Sequence, residues 1–405
     1  MPVLTGALAL LCVVGPLSTD MYLPAFPGMA RELGTDASGI QLTLTAFLIG
    51  MTLGHLVFGP LSDRYGRRGP LLAGAAVCAL ATAGCALAPS LEWLVAARFL
   101  AGFSGAAGVV ISRAVVSDVA EGAAAARMLA LLMTLSTIAP IVAPLAGGAI
   151  IELSGWRAVF WVLTAVAALV AAAVVAGIPE SLPEERRITG GFGAFARSVR
   201  TVVADRAYTG WTLAFTFGFG ALFCYIAGSP FLLQNVLGLG VGMSSVAFSG
   251  GALMAGVTGA LSARIVTRTG PERLLRLGLY AMLAGCTALL LATVAGVLTV
   301  AVCLPLLAVV TGGIGLAFAN AAALAIGRVP HAAGTGSALL GTAQSALGAV
   351  VAPLVGLGGA DTALPLFAGM TLCTVLAVGS ARWALRAAGT GTGSAGSRAP
   401  VAPAP

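Results

Sequence analysis

Twelve long apolar runs constrain the fold of this chain more than any other feature. Each approaches the ~20 residues that a helix needs to cross a bilayer. The runs begin at about Val3, Ile40, Leu71, Trp93, Met128, Ala158, Tyr208, Met243, Leu274, Leu298, Ala338 and Ala363. Hydrophobic residues make up 59% of the chain and its mean hydropathy is +1.02, which excludes an ordinary soluble globular protein. We therefore predict an all-α membrane protein with 12 transmembrane helices.

The placement of charge predicts the orientation of these helices. The net charge of +7 suits nucleic-acid binding in principle, but 18 of the 21 basic residues, all Arg, lie in connectors on one side of the predicted membrane. Of the other three, Arg31 and Arg157 lie on the opposite side and Arg98 lies within a span. The 18 are Arg64, Arg67, Arg68, Arg113, Arg127, Arg186, Arg187, Arg197, Arg200, Arg206, Arg264, Arg268, Arg273, Arg276, Arg328, Arg382, Arg386 and Arg398. Because Arg-rich connectors stay in the cytoplasm, we expect a multi-pass protein of the inner (plasma) membrane with both termini cytoplasmic and no nucleic-acid partner.

The two halves of the chain resemble each other. Leu61-Ser62-x-Arg64 before Gly69-Pro70 is echoed by Leu261-Ser262-x-Arg264 before Gly270-Pro271, and Ala143-Pro144 is echoed by Ala352-Pro353. We predict two pseudo-symmetric six-helix bundles, at 1–178 and 208–388, joined by a cytoplasmic linker at 179–207 and followed by a disordered cytoplasmic tail at 389–405. A substrate site is expected between the bundles, near the midplane of the membrane.

A short charged block joins the second and third apolar runs. A Gly-flanked basic turn could serve only to set the orientation of the helices in the membrane. Arginines alone would be enough for that purpose, and Asp63 would not be needed. The block resembles the loop signature of the major facilitator superfamily, with matches at Gly59, Asp63, Arg64, Gly66, Arg67 and Arg68. The resemblance implies a latch on the cytoplasmic side, in which Asp63 lies near a helix N-terminus of the other bundle and Arg67 pairs with Asp118.

Two charged residues fall inside predicted spans. Asp20 precedes Pro24 in the first span, and Arg98 follows Trp93 in the fourth, within a segment that resembles a second superfamily motif although Ala101 replaces the usual Gln. Both lie roughly 6–8 Å inside the outer edge, so a direct or water-mediated contact is feasible. Burial in an apolar site favours the protonated form of a carboxyl group, whereas a nearby cation favours its ionised form. We expect Asp20 to carry the coupling proton; a purely structural Asp20–Arg98 pair and a snorkelling Arg98 are the alternatives.

The fifth span contains Ala143, Pro144, Gly147 and Gly148, a stretch that resembles the antiporter motif of the superfamily. The resemblance implies a seal against proton leak at the outer face, whereas the residues alone would also suit a kinked, tightly packed helix. Three further segments are similar to the bicyclomycin-resistance (Bcr/CflA) group of drug:proton antiporters. They begin at Ser18, Tyr225 and Gly334.

An aromatic stripe in the seventh span is the candidate substrate surface. Phe215, Phe219 and Phe223 are four residues apart and share a helix face, which suits a flat apolar compound or ordinary packing equally well. Tyr22, Tyr225 and Gln344 complete the expected cavity. The expected function is proton-coupled efflux of a small, mostly apolar drug by alternating access. A metabolite transporter, exporting or importing, is the alternative, and a non-transporting receptor is less favoured.

Catalysis is not expected from this composition. The chain has only two histidines, no Ser/His/Asp set and no cluster of metal-ligand spacing, and its seven cysteines all lie in apolar runs. We expect neither an enzyme nor a cofactor or metal, with the proton gradient as energy source. The expected partners are the lipid bilayer, protons and a small-molecule substrate, and the expected state is a monomer.

Overall fold

The computed structural model describes residues 2–120, 122–183 and 199–391, which form an all-helical bundle. The helices are α1 (Pro2–Asp20), α2 (Phe26–Glu32), α3 (Ala37–Tyr65), α4 (Arg68–Ala86), α5 (Leu91–Val119), α6 (Gly122–Ser154), α7 (Trp156–Gly177), α8 (Arg206–Phe231), α9 (Val241–Thr269), α10 (Pro271–Val294), α11 (Val300–Arg328), α12 (Ala333–Gly356) and α13 (Leu364–Gly391). Among these residues, 12 helical segments are long and apolar enough to cross a membrane, with α1 and α2 sharing the first.

Short connectors force successive spans to run in opposite directions. We call the end at which α1 begins and α13 ends the terminal end, and the opposite end the distal end. Side chains start several helices: Asp36 accepts a hydrogen bond from the Gly39 amide at 2.7 Å, and Asp205 accepts one from the Tyr208 amide at 2.8 Å. The turns before α4 and α10 each need a glycine with positive φ, 92° at Gly66 and 80° at Gly270.

The bundle has two halves that repeat the same packing. In the first half, α5 packs on α3 and α4, and α4 also packs on α7. In the second half, α11 packs on α10 and α8, and α13 packs on the same two helices. The halves meet where α3 packs on α12 and where α6 packs on α9. Small residues allow backbones to touch within each half; for example, a Cβ at Gly102 would overlap the main chain at Phe47.

The observed spans begin within a few residues of their predicted positions. The predicted domain boundaries stay predictions. Helix α13 continues to Gly391, and the remainder of the predicted tail at 392–405 lies outside the described residues, as does the middle of the predicted linker. Arg186, Arg187, Arg197 and Arg398 fall in these two segments.

The first span is interrupted. Helix α1 ends at Asp20, a single 3-10 turn runs from Leu23 to Ala25, and α2 begins at Phe26. Pro24 and Pro27 cause the interruption, because neither has an amide hydrogen to continue a helical ladder. The acidic residue of the first span therefore lies at a helix end within the bundle.

Candidate functional site

The basic loop between α3 and α4 forms a compact ionic network. The Arg67 guanidinium donates to Asp63 at 2.5 Å, to the Ser62 hydroxyl at 2.9 Å and, through Nε, to Asp118 at 3.1 Å. The Ser181 hydroxyl also donates to Asp118, at 3.0 Å. The structure thus brings together Arg67 and Asp118, the pair that the motif implies. The contacts of Arg67 hold α3, α4 and α5 in one unit at the terminal end.

Glu180 completes this network and was not among the site residues predicted from the sequence. Its carboxylate accepts hydrogen bonds from the backbone amides of Arg67 at 2.8 Å and Arg68 at 3.2 Å. These amides begin α4, where the helix dipole favours an anion. A Cβ at Gly66 would meet the Glu180 carboxylate, which explains why glycine is needed there. The available signal was an acid directly after Pro179, at the end of a span that has no other acid.

Asp63 forms an ion pair within its own half. Its partner is Arg67, and the contact with a helix N-terminus of the other half, which the motif implies, stays a prediction. The side chain is 40% exposed, so it is accessible at the terminal end. Arg64 is exposed and lies over the Tyr65 ring at 5.3 Å, and a Cβ at Gly59 would make only an ordinary contact, 3.9 Å, with the Val110 side chain.

Arg98 lies in an aromatic box within the first half. Its side chain is 1% exposed, and its guanidinium carbon is 4.2 Å from the ring centroids of both Tyr22 and Phe47 and 5.9 Å from that of Phe160. The Nε and Nη2 atoms have no hydrogen-bond partner. Ring faces stabilise a cation electrostatically, so three rings provide part of what a carboxylate would. The snorkelling alternative does not fit this burial.

Asp20 does not form an ion pair with Arg98, although the sequence suggested a direct or water-mediated contact. Both residues are buried, and the aromatic rings surround the guanidinium instead. Asp20 is 6% exposed, its neighbour Thr19 lies beside the carboxyl, and α1 ends at this residue. A cation and a carboxyl at similar depth thus remain separate in this conformation.

The glycines of the antiporter-like stretch make two different close contacts. A Cβ at Gly147 would overlap the carbonyl oxygen of Met21, the residue that follows Asp20. A Cβ at Gly148 would overlap the side chain of Ser245, on α9 of the other half. Ala143 and Pro144 are buried one turn earlier on α6. This stretch therefore packs against both the interruption in the first span and the opposite half.

Three polar side chains on α3 connect the halves toward the distal end. The Thr45 hydroxyl donates to the carbonyl of Ala349 at 3.1 Å, and the Ser38 hydroxyl donates to that of Pro353 at 3.2 Å. The Ala349 carbonyl lacks its usual helical partner, because Pro353, four residues later, has no amide hydrogen. The Pro353 carbonyl lies in the last turn of α12, where carbonyls have no partner within the helix. The Gln41 amide donates to the Ala227 carbonyl of α8 at 2.9 Å. We call Ser38, Gln41 and Thr45 the distal latch.

Two further contacts join the halves at the distal end. The Gln234 amide donates to the Pro24 carbonyl at 2.7 Å, next to the interrupted first span. The Glu152 carboxylate of α6 accepts from the Gly242 amide at 2.8 Å. Helix α9 begins after Gly240, which offers no side-chain cap, so an acid of one half caps a helix of the other. With the distal latch, these contacts close the distal end of the interface.

The aromatic stripe on α8 extends to α11. Phe215 and Phe219 have ring centroids 5.0 Å apart, and Phe219 and Phe223 are 5.9 Å apart. Phe318 of α11 stacks on Phe219 at 4.5 Å, a contact that helix periodicity within one span did not predict. Phe219, Phe223 and Phe318 are each half-buried. They form one continuous aromatic surface, which we call the aromatic wall.

The other predicted cavity residues have different positions. Tyr22 is completely buried beside Arg98, and its hydroxyl lies 3.3 Å from that of Thr43. Tyr225 is 4% exposed and stacks on Phe248 with centroids 5.3 Å apart. Gln344 on α12 is half-buried. In the part of the chain that the structure describes, no group of His, Cys, Asp and Glu residues could hold a metal ion.

Comparison with known proteins places the chain in a family. The family model for the Major Facilitator Superfamily matches residues 8–353. The MFS-type transporter YdgK of Bacillus subtilis (strain 168), itself uncharacterized, is 38% identical over 91% of this chain and 92% of its own length. The bicyclomycin resistance protein homolog of Haemophilus influenzae is 32% identical over 92% of this chain and 93% of its own length.

Solved structures agree at the level of the fold. A bacterial homolog of the human lysosomal transporter Spinster has a TM-score of 0.75 at 16% identity and covers 96% of both chains. A D-xylose-proton symporter has a TM-score of 0.74 at 15% identity and covers 94% of this chain and 96% of its own. On the family match and the length of the sequence alignments, this chain is a membrane transporter of the major facilitator superfamily and not an enzyme.

Proposed function

We propose that the protein expels a small, mostly apolar drug or antibiotic in exchange for protons. The observation that carries this proposal is the position of Asp20. It is a buried carboxyl at a helix end, and the antiporter-like stretch packs on the next residue through Gly147. A change in the protonation of Asp20 therefore acts on the contact between α1 and α6, and α6 in turn contacts the other half at Ser245.

Arg98 provides the second part of the coupling scheme. Its box leaves two guanidinium nitrogens, Nε and Nη2, without acceptors in a site of very low exposure, and such unpaired donors are costly in an apolar interior. A deprotonated Asp20 would gain by approaching this cation, and a protonated Asp20 would not. The proton thereby selects between two arrangements of the first half. The role of Tyr22 in this scheme is to hold Arg98.

The aromatic wall is the proposed substrate contact. Phe219, Phe223 and Phe318 offer half-buried apolar faces, and Gln344 offers a polar group for orientation. Phe215 packs behind this surface, against Phe219 and Phe318. Tyr225, which stacks on Phe248, is proposed as a separate part of the cavity. Export is further supported by relatives described as a bicyclomycin resistance protein homolog and, at 32% identity over 67% of this chain, a chloramphenicol resistance protein of Pseudomonas aeruginosa.

Orientation and gating complete the proposal. The terminal end is cytoplasmic, since the Arg-rich connectors lie there. The closed distal end then faces outward, and the conformation corresponds to a carrier that exposes its cavity to the cytoplasm. The Arg67 network is the inner gate element and the distal latch is the outer one. The transporter acts as a monomer in the plasma membrane. Transport of a metabolite, outward or inward, is the second candidate function for this member of the superfamily.

Transport by purified protein in liposomes tests this function. A drug-susceptibility panel in an efflux-deficient host first identifies a substrate, and its uptake into liposomes is then driven by a pH gradient of either sign. We expect Asp20→Asn to abolish proton-driven accumulation and keep downhill exchange. The control is Asp361→Asn, which changes a distal carboxylate that contacts Asn235 and should transport normally. Proton-driven transport at the normal rate in Asp20→Asn would refute the coupling role. Accumulation in the same direction as the proton flux would instead identify a symporter.

A further inference from the structure

A basic groove lies between α10 and α13 on the outside of the second half. Arg276, Tyr280 and Arg382 line its polar part, and Leu279, Val378 and Leu385 line its apolar part. Arg276 is about 8 Å and Tyr280 about 14 Å from the start of α10 at 1.5 Å per residue, so both lie in the half of α10 nearer the terminal end, with Arg276 closer to that end. The groove therefore combines polar and apolar walls in the half of the bundle that belongs to the leaflet at the terminal end.

The charge of this groove is strongly positive. Arg273 and Arg386 flank it on the same two helices, and Glu272, one turn before Arg276, is the one acidic residue in α10 and α13. Within the described ranges, none of the four arginines forms a salt bridge. The cluster thus carries a net excess of cations at an apolar surface, which calls for an anionic partner.

One arginine is held in place by an aromatic residue. The Arg382 guanidinium donates to the Tyr280 hydroxyl at 3.2 Å and lies 5.8 Å from the Tyr280 ring centroid. Trp383, the next residue, is 42% exposed, as is typical of aromatic residues at a membrane interface. Tyr280 therefore orients a cation along the groove instead of leaving it free in water.

The first half provides an internal comparison. Its corresponding helix, α4, also follows a Gly-Pro pair, at Gly69-Pro70 compared with Gly270-Pro271. The ten residues after Pro70 contain no charged or aromatic side chain, whereas the ten after Pro271 contain Arg273, Arg276 and Tyr280. Orientation of the protein by positive connectors does not require these residues to lie along one groove. The cluster is thus a feature of this second half and not of the repeated fold.

We propose that this groove binds an anionic phospholipid of the leaflet at the terminal end. The phosphodiester would lie between Arg276 and Arg382, and an acyl chain would lie against Leu385, since Leu279 and Val378 are buried beneath the groove. Basic pockets between membrane helices are suited to such headgroups, and arginine matches the geometry of phosphate oxygens. A soluble phosphate lacks the apolar contacts. A bound lipid would brace α10 against α13, two helices at the periphery of the second half.

Lipid titration of the purified full chain in neutral detergent tests this site. The probes are dioleoyl-phosphatidylglycerol, dioleoyl-phosphatidylcholine with the same acyl chains, and glycerol 3-phosphate without them. The readouts are the thermal midpoint and the number of lipids retained in native mass spectrometry. We expect phosphatidylglycerol alone to raise the midpoint. The variant Arg276→Gln/Arg382→Gln should bind it roughly 30-fold more weakly, as two basic residues at a membrane surface predict.

A matched pair of arginines serves as the control. Arg264→Gln/Arg268→Gln removes two exposed charges from α9 at the same end of the bundle and should change phosphatidylglycerol binding less than threefold. Arg276→Lys/Arg382→Lys keeps the charge and should retain most of the binding, which separates loss of charge from loss of folding. Equal weakening in the control would overturn the site, because it would indicate a diffuse effect of charge. So would an equal response to phosphatidylcholine or to glycerol 3-phosphate.

Discussion

The most direct test of how the halves close is Thr45→Val in the distal latch. Valine has nearly the same shape as threonine and lacks only the hydroxyl that donates to the Ala349 carbonyl. Because Pro353 cannot donate to that carbonyl, the variant leaves a buried acceptor without a partner whenever the distal end is closed. When the distal end opens, water can reach the carbonyl. The substitution therefore destabilises the closed state selectively.

The size of the effect follows from the burial of this pair. Thr45 is 9% exposed and Ala349 is 6% exposed, so neither is hydrated in the closed state. An unpaired buried acceptor costs about 1–2 kcal/mol. The ratio of distal-open to distal-closed molecules should consequently rise roughly 5- to 30-fold. The matched control is Thr52→Val on the same helix, whose hydroxyl bonds to Leu48 within α3 and does not cross the interface.

Spin-label distances across the distal end measure this ratio. Leu153 of the first half is 85% exposed and Val297 of the second is 56% exposed, so Leu153→Cys/Val297→Cys places labels on opposite halves. The seven native cysteines are replaced first. We expect Thr45→Val to increase the long-distance population and Thr52→Val to leave it unchanged. Our account of closure is wrong if the two variants give the same distance distribution.

Two further substitutions test the ionic contacts. Arg67→Gln removes the bonds to Asp63 and Asp118 and should lower the free energy of unfolding by about 2 kcal/mol, whereas the exposed Arg64→Gln should change it by less than about 0.5 kcal/mol. Equal denaturation midpoints for these two variants would contradict the network. Glu152→Leu removes the acid that caps α9 and should increase the distal-open population about two- to fivefold at low salt. Glu92→Leu, which changes an acid in the first turn of α5 within one half, should have no such effect; an increase in both would point to a general loss of stability.

Much of the fold could be predicted because a bilayer imposes strict local requirements. A spanning helix must satisfy its backbone internally and be apolar for its whole length, so the composition of a run such as the one beginning at Ile40 determines its structure. The contact between Arg67 and Asp118 was predictable for a different reason, since a specific motif implied it. The helix interruption at Asp20 was not predicted, although Pro24 and Pro27 were the signal for it.

The arrangement of the site was less accessible from the sequence. Depth along two helices suggested that Asp20 and Arg98 meet, but depth does not specify which side of each helix faces its neighbour. Tyr22 and Phe47 surround Arg98 instead. Glu180 was missed because it binds backbone amides, which have no sequence signature, and Phe318 because it completes a surface begun on another span.

The number of spans, the duplication, the predicted orientation and the family resemblance could all be inferred from the chain before its fold was known, because each depends on local composition or on motifs within a single segment. The way in which the distal end closes, and the pairing of the charges, became evident from the folded arrangement of the helices. Thr45 reaches a carbonyl more than 300 positions away in the chain, and its partner is free only because of a proline in the other half. Such contacts depend on how two helices rotate and approach, which is decided by packing across the whole bundle.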